Sequence, residues 1–189
     1  MNAYELKALQ RRGITVSALG CVMLDVTSPP ISRLLPATWL YSSPHPDRRW
    51  ISGAQDEGHV TLLYGLLDNA HTIREDIDEA LDGWDPGTIE TAHVGVFPSP
   101  FDDEPYSCIV AHLALTEQLR DAHARLSLLP HIDTHPEYKP HVTLAYVRRE
   151  YEGDAVRLIE QELGCVKGGL DFEPVALNYG YPPKIGATS

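Results

Sequence analysis

The phrase His59-Val60-Thr61-Leu62-Leu63-Tyr64 is written a second time, with one change, as His141-Val142-Thr143-Leu144-Ala145-Tyr146. Its β-branched, aliphatic and aromatic residues are those of a strand. Alternation along a strand sends His59 and Thr61 to one face and Val60, Leu62 and Tyr64 to the other, into a core. The second copy sets His141 and Thr143 against Val142, Leu144 and Tyr146 in the same way. Two copies separated by most of a domain predict two similar lobes whose polar strand faces look at each other across a cleft, each supplying one imidazole and one hydroxyl. The competing reading is a coincidence between two solvated strands. Against it, both copies place histidine, which is not a strand former, two residues before threonine.

Outward from the first copy, residues 14–26 read as a strand stopped by Pro29-Pro30, preceded by an amphipathic helix over Met1 to Gly13. Residues 28–58 hold five prolines, Trp39, Tyr41 and the cluster Asp47-Arg48-Arg49-Trp50; so long a connection in a compact domain predicts a flap beside the cleft or an insertion packed by Trp39 and Trp50. After the first copy, Asn69 is placed to cap a helix with Ile73, Ile77, Ala80 and Leu81 on one stripe, ending near Gly83. Ile89 to Phe97 and Tyr106 to Leu115 form a hairpin around a proline-rich turn. Thr116 caps a helix carrying Leu119, Ala122, Leu126 and Leu129. Beyond the second copy come a helix from Glu150 to Leu163, closed by Gly164, and a last strand from Leu170 to Tyr179. This order predicts an α+β, bilobal fold: two antiparallel sheets lining a central cleft, with helices outside.

The chain of 189 residues, 43% hydrophobic and 22% charged, is long enough for one substantial core and too short for two independent domains, so residues 1–189 are read as a single bilobed domain. Fifteen basic residues against 27 acidic ones give a net charge of −12, which opposes capture of long RNA or DNA but tolerates a small anion held by local cations. Cys21, Cys108 and Cys165 form no Cys-x-x-Cys pair, as expected of a reducing cytoplasm, and neither a signal nor a membrane-length apolar run is apparent.

Two histidines and two hydroxyls suffice for phosphodiester cleavage without a metal. A neutral imidazole takes the proton of a 2′-hydroxyl as it attacks phosphorus, and a protonated one gives its proton to the departing 5′-oxygen. Thr61 and Thr143 would donate to the non-bridging oxygens where charge builds up. No cofactor is called for. A metal cluster drawn from His131, Asp133, His135 and His141 matches no familiar spacing, and His45, His71, His93, His112 and His123 are read as structural or solvated.

At these residues the chain resembles the two-histidine (2H) phosphoesterase superfamily, over about residues 14–179. The wording around the motifs, through Gly65-Leu66 and from Tyr138-Lys139-Pro140, is most similar to the phage anti-CBASS nucleases that hydrolyse cyclic di- and trinucleotides. The resemblance implies metal-independent cleavage of 3′,5′ bonds in cyclic oligonucleotide immune signals, an immune-evasion activity in the bacterial host cytoplasm, with His59, Thr61, His141 and Thr143 as the catalytic set. Lys139 is then a candidate to meet phosphate, and Tyr138, Trp50, Trp84 and Tyr181 are candidates to stack on a base. Two alternatives remain: an RNA 2′,3′-cyclic phosphodiesterase or 2′,5′ RNA ligase-like enzyme, and a non-enzymatic sponge that sequesters a cyclic nucleotide.

Overall fold

In the computed structural model, which describes residues 19–133, 137–164 and 170–180, the two copies of the phrase lie side by side. They occupy β2 (Gly58–Leu66) and β5 (His141–Arg148), antiparallel neighbours joined at one residue pair, Val60 with Val142. That pair joins the middle residues of the two His-x-Thr triplets, so an approximate twofold relation between the lobes passes through it. On one side of it β2 pairs with β1 (Gly20–Val26), and β1 with β7 (Pro174–Asn178). On the other, β5 pairs with β4 (Tyr106–Leu113), β4 with β3 (Ile89–Pro98), and β3 with β6 (Asp171–Phe172). The fold is α+β, and the two expected sheets are the two halves of one antiparallel ladder in the order β6-β3-β4-β5-β2-β1-β7.

Each motif strand carries a bulge at the same place. Thr61 faces Met23 and Leu63 faces Val22, leaving Leu62 as an extra residue; Thr143 faces Val110 and Ala145 faces Ile109, leaving Leu144 as an extra residue. A bulge reverses the alternation that follows it. Leu62 with Leu63, and Leu144 with Ala145, are therefore buried as consecutive pairs. The same reversal corrects the expectation for the two tyrosines: Tyr64 and Tyr146 turn out of the core to the His-x-Thr side and are half-buried there.

Beyond the bulges β2 and β5 no longer pair with each other, and each takes a partner from the segment that leads into the other motif. Val147 bridges Leu40 and Ala145 bridges Ala54, with Tyr41 N–H bonded to the Tyr146 carbonyl and Gln55 N–H to that of Leu144 at 2.8 Å. Leu66 bridges His131, and Ile132 N–H donates to the Gly65 carbonyl at 2.8 Å. The 28–58 segment is thus a strap fastened along β5. It contains the short α1 (Ile31–Leu34) and is pinned at its far end by Arg48, whose guanidinium meets Asp103 at 2.9 Å and the buried Glu104 at 2.6 Å.

The expected last strand is split at Glu173: Phe172 pairs with Ile89 of β3, whereas Pro174 pairs with Val26 of β1. One residue therefore separates the strands at the two ends of the ladder, and the ends meet at this corner, where Thr27 N–H donates to the Glu173 carbonyl at 2.9 Å. On the face opposite the motif histidines, α3 (Glu117–Leu126) contributes Leu119, Ala122 and Leu126 and α4 (Glu152–Leu163) contributes Ala155 and Ile159 to one cluster with Val60 and Val142. Thr116 caps α3 through its side-chain oxygen on Leu119 N–H at 3.2 Å, and Gly164 ends α4 at φ 66°, both as expected. The preceding helix, α2, is shorter than expected (Arg74–Ala80), because Asn69 closes a turn onto His71 N–H at 3.0 Å instead of opening the helix. The N-terminal helix and residues 14–18 lie outside the described residues.

Gly65 sits at φ 107° where the 131–132 segment docks, and an added Cβ would run into the Ile132 carbonyl. Gly65→Ala should lower stability by roughly 2 kcal/mol or more in urea unfolding, and should weaken substrate binding together with stability, since that segment walls the cleft described next.

Candidate active site

Counting one residue outward from Val60–Val142 along antiparallel strands sets His59 across from Thr143 and Thr61 across from His141, all on the face away from the core. Each imidazole thus has the other lobe's hydroxyl as its neighbour. The four candidate residues come together, and the charge of His141 is felt at His59.

Their surroundings differ. His59 is paired across the sheet with Asp25, whose carboxylate is held by Asn178 Nδ2 at 3.0 and 3.2 Å. Loss of hydration in the cleft pushes the His59 pKa below its ordinary value; Asp25 pulls it back up and His141 pushes it down further. The His141 Nδ1 lies 2.9 Å from the Lys139 carbonyl, which can only accept, so Nδ1 carries the proton and Nε2 presents its lone pair to the cleft. Burial lowers the His141 pKa as well, partly offset by that hydrogen bond. Thr143 Oγ1 lies 3.9 Å from the Cys108 thiol, whose pKa is raised to about 11 by burial. At neutral pH the thiol keeps its proton as a weak donor, so the Thr143 hydroxyl hydrogen is left for a ligand.

A cavity of about 780 Å³ opens beside Thr61 and His141, walled by Tyr64, Phe97, His123 and Tyr138 among others. His59 and Thr143 are not among its lining residues. Tyr138 lies flat on His123, with centroids 4.1 Å apart and planes 1° apart. Its hydroxyl donates to the Thr61 carbonyl at 3.2 Å, and the His123 Nδ1 lies 2.8 Å from the Leu62 carbonyl, so this stack grips the β2 bulge itself.

Of the other expected contacts, Tyr138 is in the wall, already stacked. Lys139 is at the rim, ion-paired with Glu137 at 2.9 Å. Trp50 is 42% exposed and meets the Tyr146 ring edge-on at 6.1 Å, on the motif side but outside the cavity. Trp84 is not at the cleft: its indole N–H donates to the Gln118 carbonyl at 2.9 Å, and it lines a separate groove with Arg120 and Asp121. Tyr181 lies outside the described residues. Sequence reasoning missed Asp25, Asn178, Tyr64 and Phe97 and took His112 and His123 as bystanders. Among the described residues no three His, Cys, Asp or Glu side chains are arranged to hold a metal ion, and no helix is long and apolar enough to cross a membrane.

A two-lobed ladder with paired His-x-Thr triplets on one face is a phosphoesterase architecture, and the sequence profile of the 2′-5′ RNA ligase superfamily matches residues 45–163, a span that includes both motifs. The chain belongs to this superfamily of phosphodiester-acting enzymes. In fold it is similar to Usb1 from Kluyveromyces marxianus, with a TM-score of 0.54 at 13% identity over 89% of this chain and 96% of that one. The same protein with uridine monophosphate gives a TM-score of 0.52 at 13% identity and the same coverage. No curated protein matches the chain.

His59→Ala and His141→Ala should each abolish turnover of a phosphodiester while leaving the thermal melt nearly unchanged, since neither side chain belongs to the core. Thr61→Ala or Thr143→Ala should lower kcat by about a hundredfold. Steady-state kinetics on the four variants check both expectations.

Proposed function

We propose that this protein is a metal-independent phosphodiesterase that cleaves the 3′,5′ bonds of small cyclic di- and trinucleotide signals, the anti-CBASS activity implied by its motif wording. The observation that carries the reading is the convergence of both His-x-Thr triplets at Val60–Val142 beside a cavity of about 780 Å³. That size falls in the range for compact ligands. An acidic chain of net charge −12 is also better suited to such a ligand than to a long nucleic acid.

In the proposed mechanism, the Nε2 lone pair of His141 accepts the 2′-hydroxyl proton as that oxygen attacks phosphorus, and His59, whose lowered pKa the Asp25 carboxylate partly restores, protonates the departing 5′-oxygen. Thr61 and Thr143 donate to the non-bridging oxygens. Because each imidazole disfavours charge on the other, the state with one proton between them prevails over a window of pH, as a matched acid and base require. Water opens the resulting 2′,3′-cyclic phosphate with the two roles exchanged.

Incubation with a panel of cyclic di- and trinucleotides and a 2′,3′-cyclic mononucleotide in EDTA, read by product mass, should give linear products from the cyclic oligonucleotides. Turnover of the mononucleotide alone would point to RNA-end processing, binding without products to a sponge, and activity restored only by added zinc or manganese to a metal enzyme. The role assignment has its own signature. Asp25→Asn removes the charge that raises the His59 pKa, so with His59 as acid the alkaline limb of the pH–rate profile moves to lower pH. A shift of the acidic limb instead would reverse the roles.

A further inference from the structure

Three histidines form a cross-strand row over β3, β4 and β5: His93 faces His112, and His112 faces His141. Directly opposed residues project from the same face of a sheet, so His93 and His112 share the face of the motif histidines. The His93 and His112 rings stack, with centroids 4.5 Å apart and planes 20° apart. Phe97 stands edge-on to both His112 and His141, at 5.1 and 5.0 Å, and spaces one from the other. Gly95 supplies the floor: a Cβ there would lie 2.7 Å from His112 Cδ2, so only glycine lets the ring settle onto the strand.

Purely structural stacking would be served as well by phenylalanine or tyrosine, and His93 is exposed. What imidazole adds is ring nitrogens, and among the described residues none of those of His93 and His112 is bonded to a protein group. Burial, the neighbouring imidazoles and the Lys139 ammonium together hold the His112 pKa below its ordinary value, so the ring offers a neutral N–H donor beside the Lys139 ammonium in a chain that is otherwise strongly acidic.

We infer that His112 and His93, with Lys139 at the rim, form a subsite for a second phosphate of the substrate, one to two strand spacings (~5–10 Å) from the reacting phosphorus at His141. The ligand class is a nucleotide in which the scissile diester is followed, one nucleoside away, by another phosphate. This inference rests on the proposed reaction at His59 and His141 and narrows its substrate. A cyclic dinucleotide meets the requirement, whereas a 2′,3′-cyclic mononucleotide does not.

The test compares the dinucleoside monophosphate ApA with its phosphorylated forms pApA and ApAp, which have the same scissile bond and one phosphate more. The wild-type protein should favour pApA or ApAp by about tenfold in kcat/KM, the scale of one charge-assisted hydrogen bond. His93→Gln and His112→Gln should each reduce that ratio, and the double variant should bring it close to one, with circular dichroism confirming that the variants fold. A wild-type ratio near one, or a preference that survives in the double variant, overturns the subsite. If none of the three is cleaved, the reaction itself fails, and the subsite is then decided by calorimetry of the same compounds: tighter binding of pApA or ApAp, lost in the double variant, upholds it, and equal affinities overturn it.

Discussion

One backbone pairing, between Val60 and Val142, underlies the rest of the molecule. Both valines are fully buried, so the pairing is embedded in the common core and is as rigid as the interior around it. Because these are the middle residues of their triplets, fixing them fixes the separation of two imidazoles that stand more than eighty positions apart in the chain. The bulges at Leu62 and Leu144 then bend the strands away from each other. Close approach at one point and divergence everywhere else is what makes a cleft, with reactive groups at its narrowest place.

The electrostatics follow from that geometry. Two imidazoles brought together resist joint protonation, and their neighbours are unequal: a carboxylate held by Asn178 on one side, a main-chain carbonyl on the other. The overall negative charge of the chain matters less to a small ligand than the local donors at the cleft, the motif hydroxyls, the imidazoles and Lys139. A global repulsion, screened within about 8 Å at physiological ionic strength, coexists with local attraction.

The outline of this arrangement was legible because it depends on local signals: the period of two at His-x-Thr, the proline-rich turn between β3 and β4, Thr116 before an apolar stripe, Gly164 after one. The bulges were not read, although Leu62-Leu63 and Leu144-Ala145 hold a clue, namely two consecutive apolar residues where strict alternation calls for one. Asp25 and His112 could not be found from the sequence. Each owes its place to cross-strand register, and nothing next to Asp25 in the chain says that it will face His59. Trp84 went astray for a related reason: an aromatic ring looks the same in sequence whether it faces a ligand or satisfies its N–H on a neighbouring helix. The split at Glu173 was hidden because both edges of the ladder accept the same kind of residue.

The exchange of edges between the lobes also bears on how the nascent chain reaches its final form. As the first half emerges from the ribosome, β2 beyond its bulge has no neighbour on its outer side, since the residues that cover it, 130–132, are not yet made. Unprotected hydrogen-bonding edges invite pairing with other molecules, and contacts between distant parts of a chain form slowly. The strap, by contrast, is synthesised early and must wait for β5. Neither lobe can therefore mature before its sibling: a polypeptide interrupted between them would yield two unfinished edges, each complementary to the other, rather than half an enzyme.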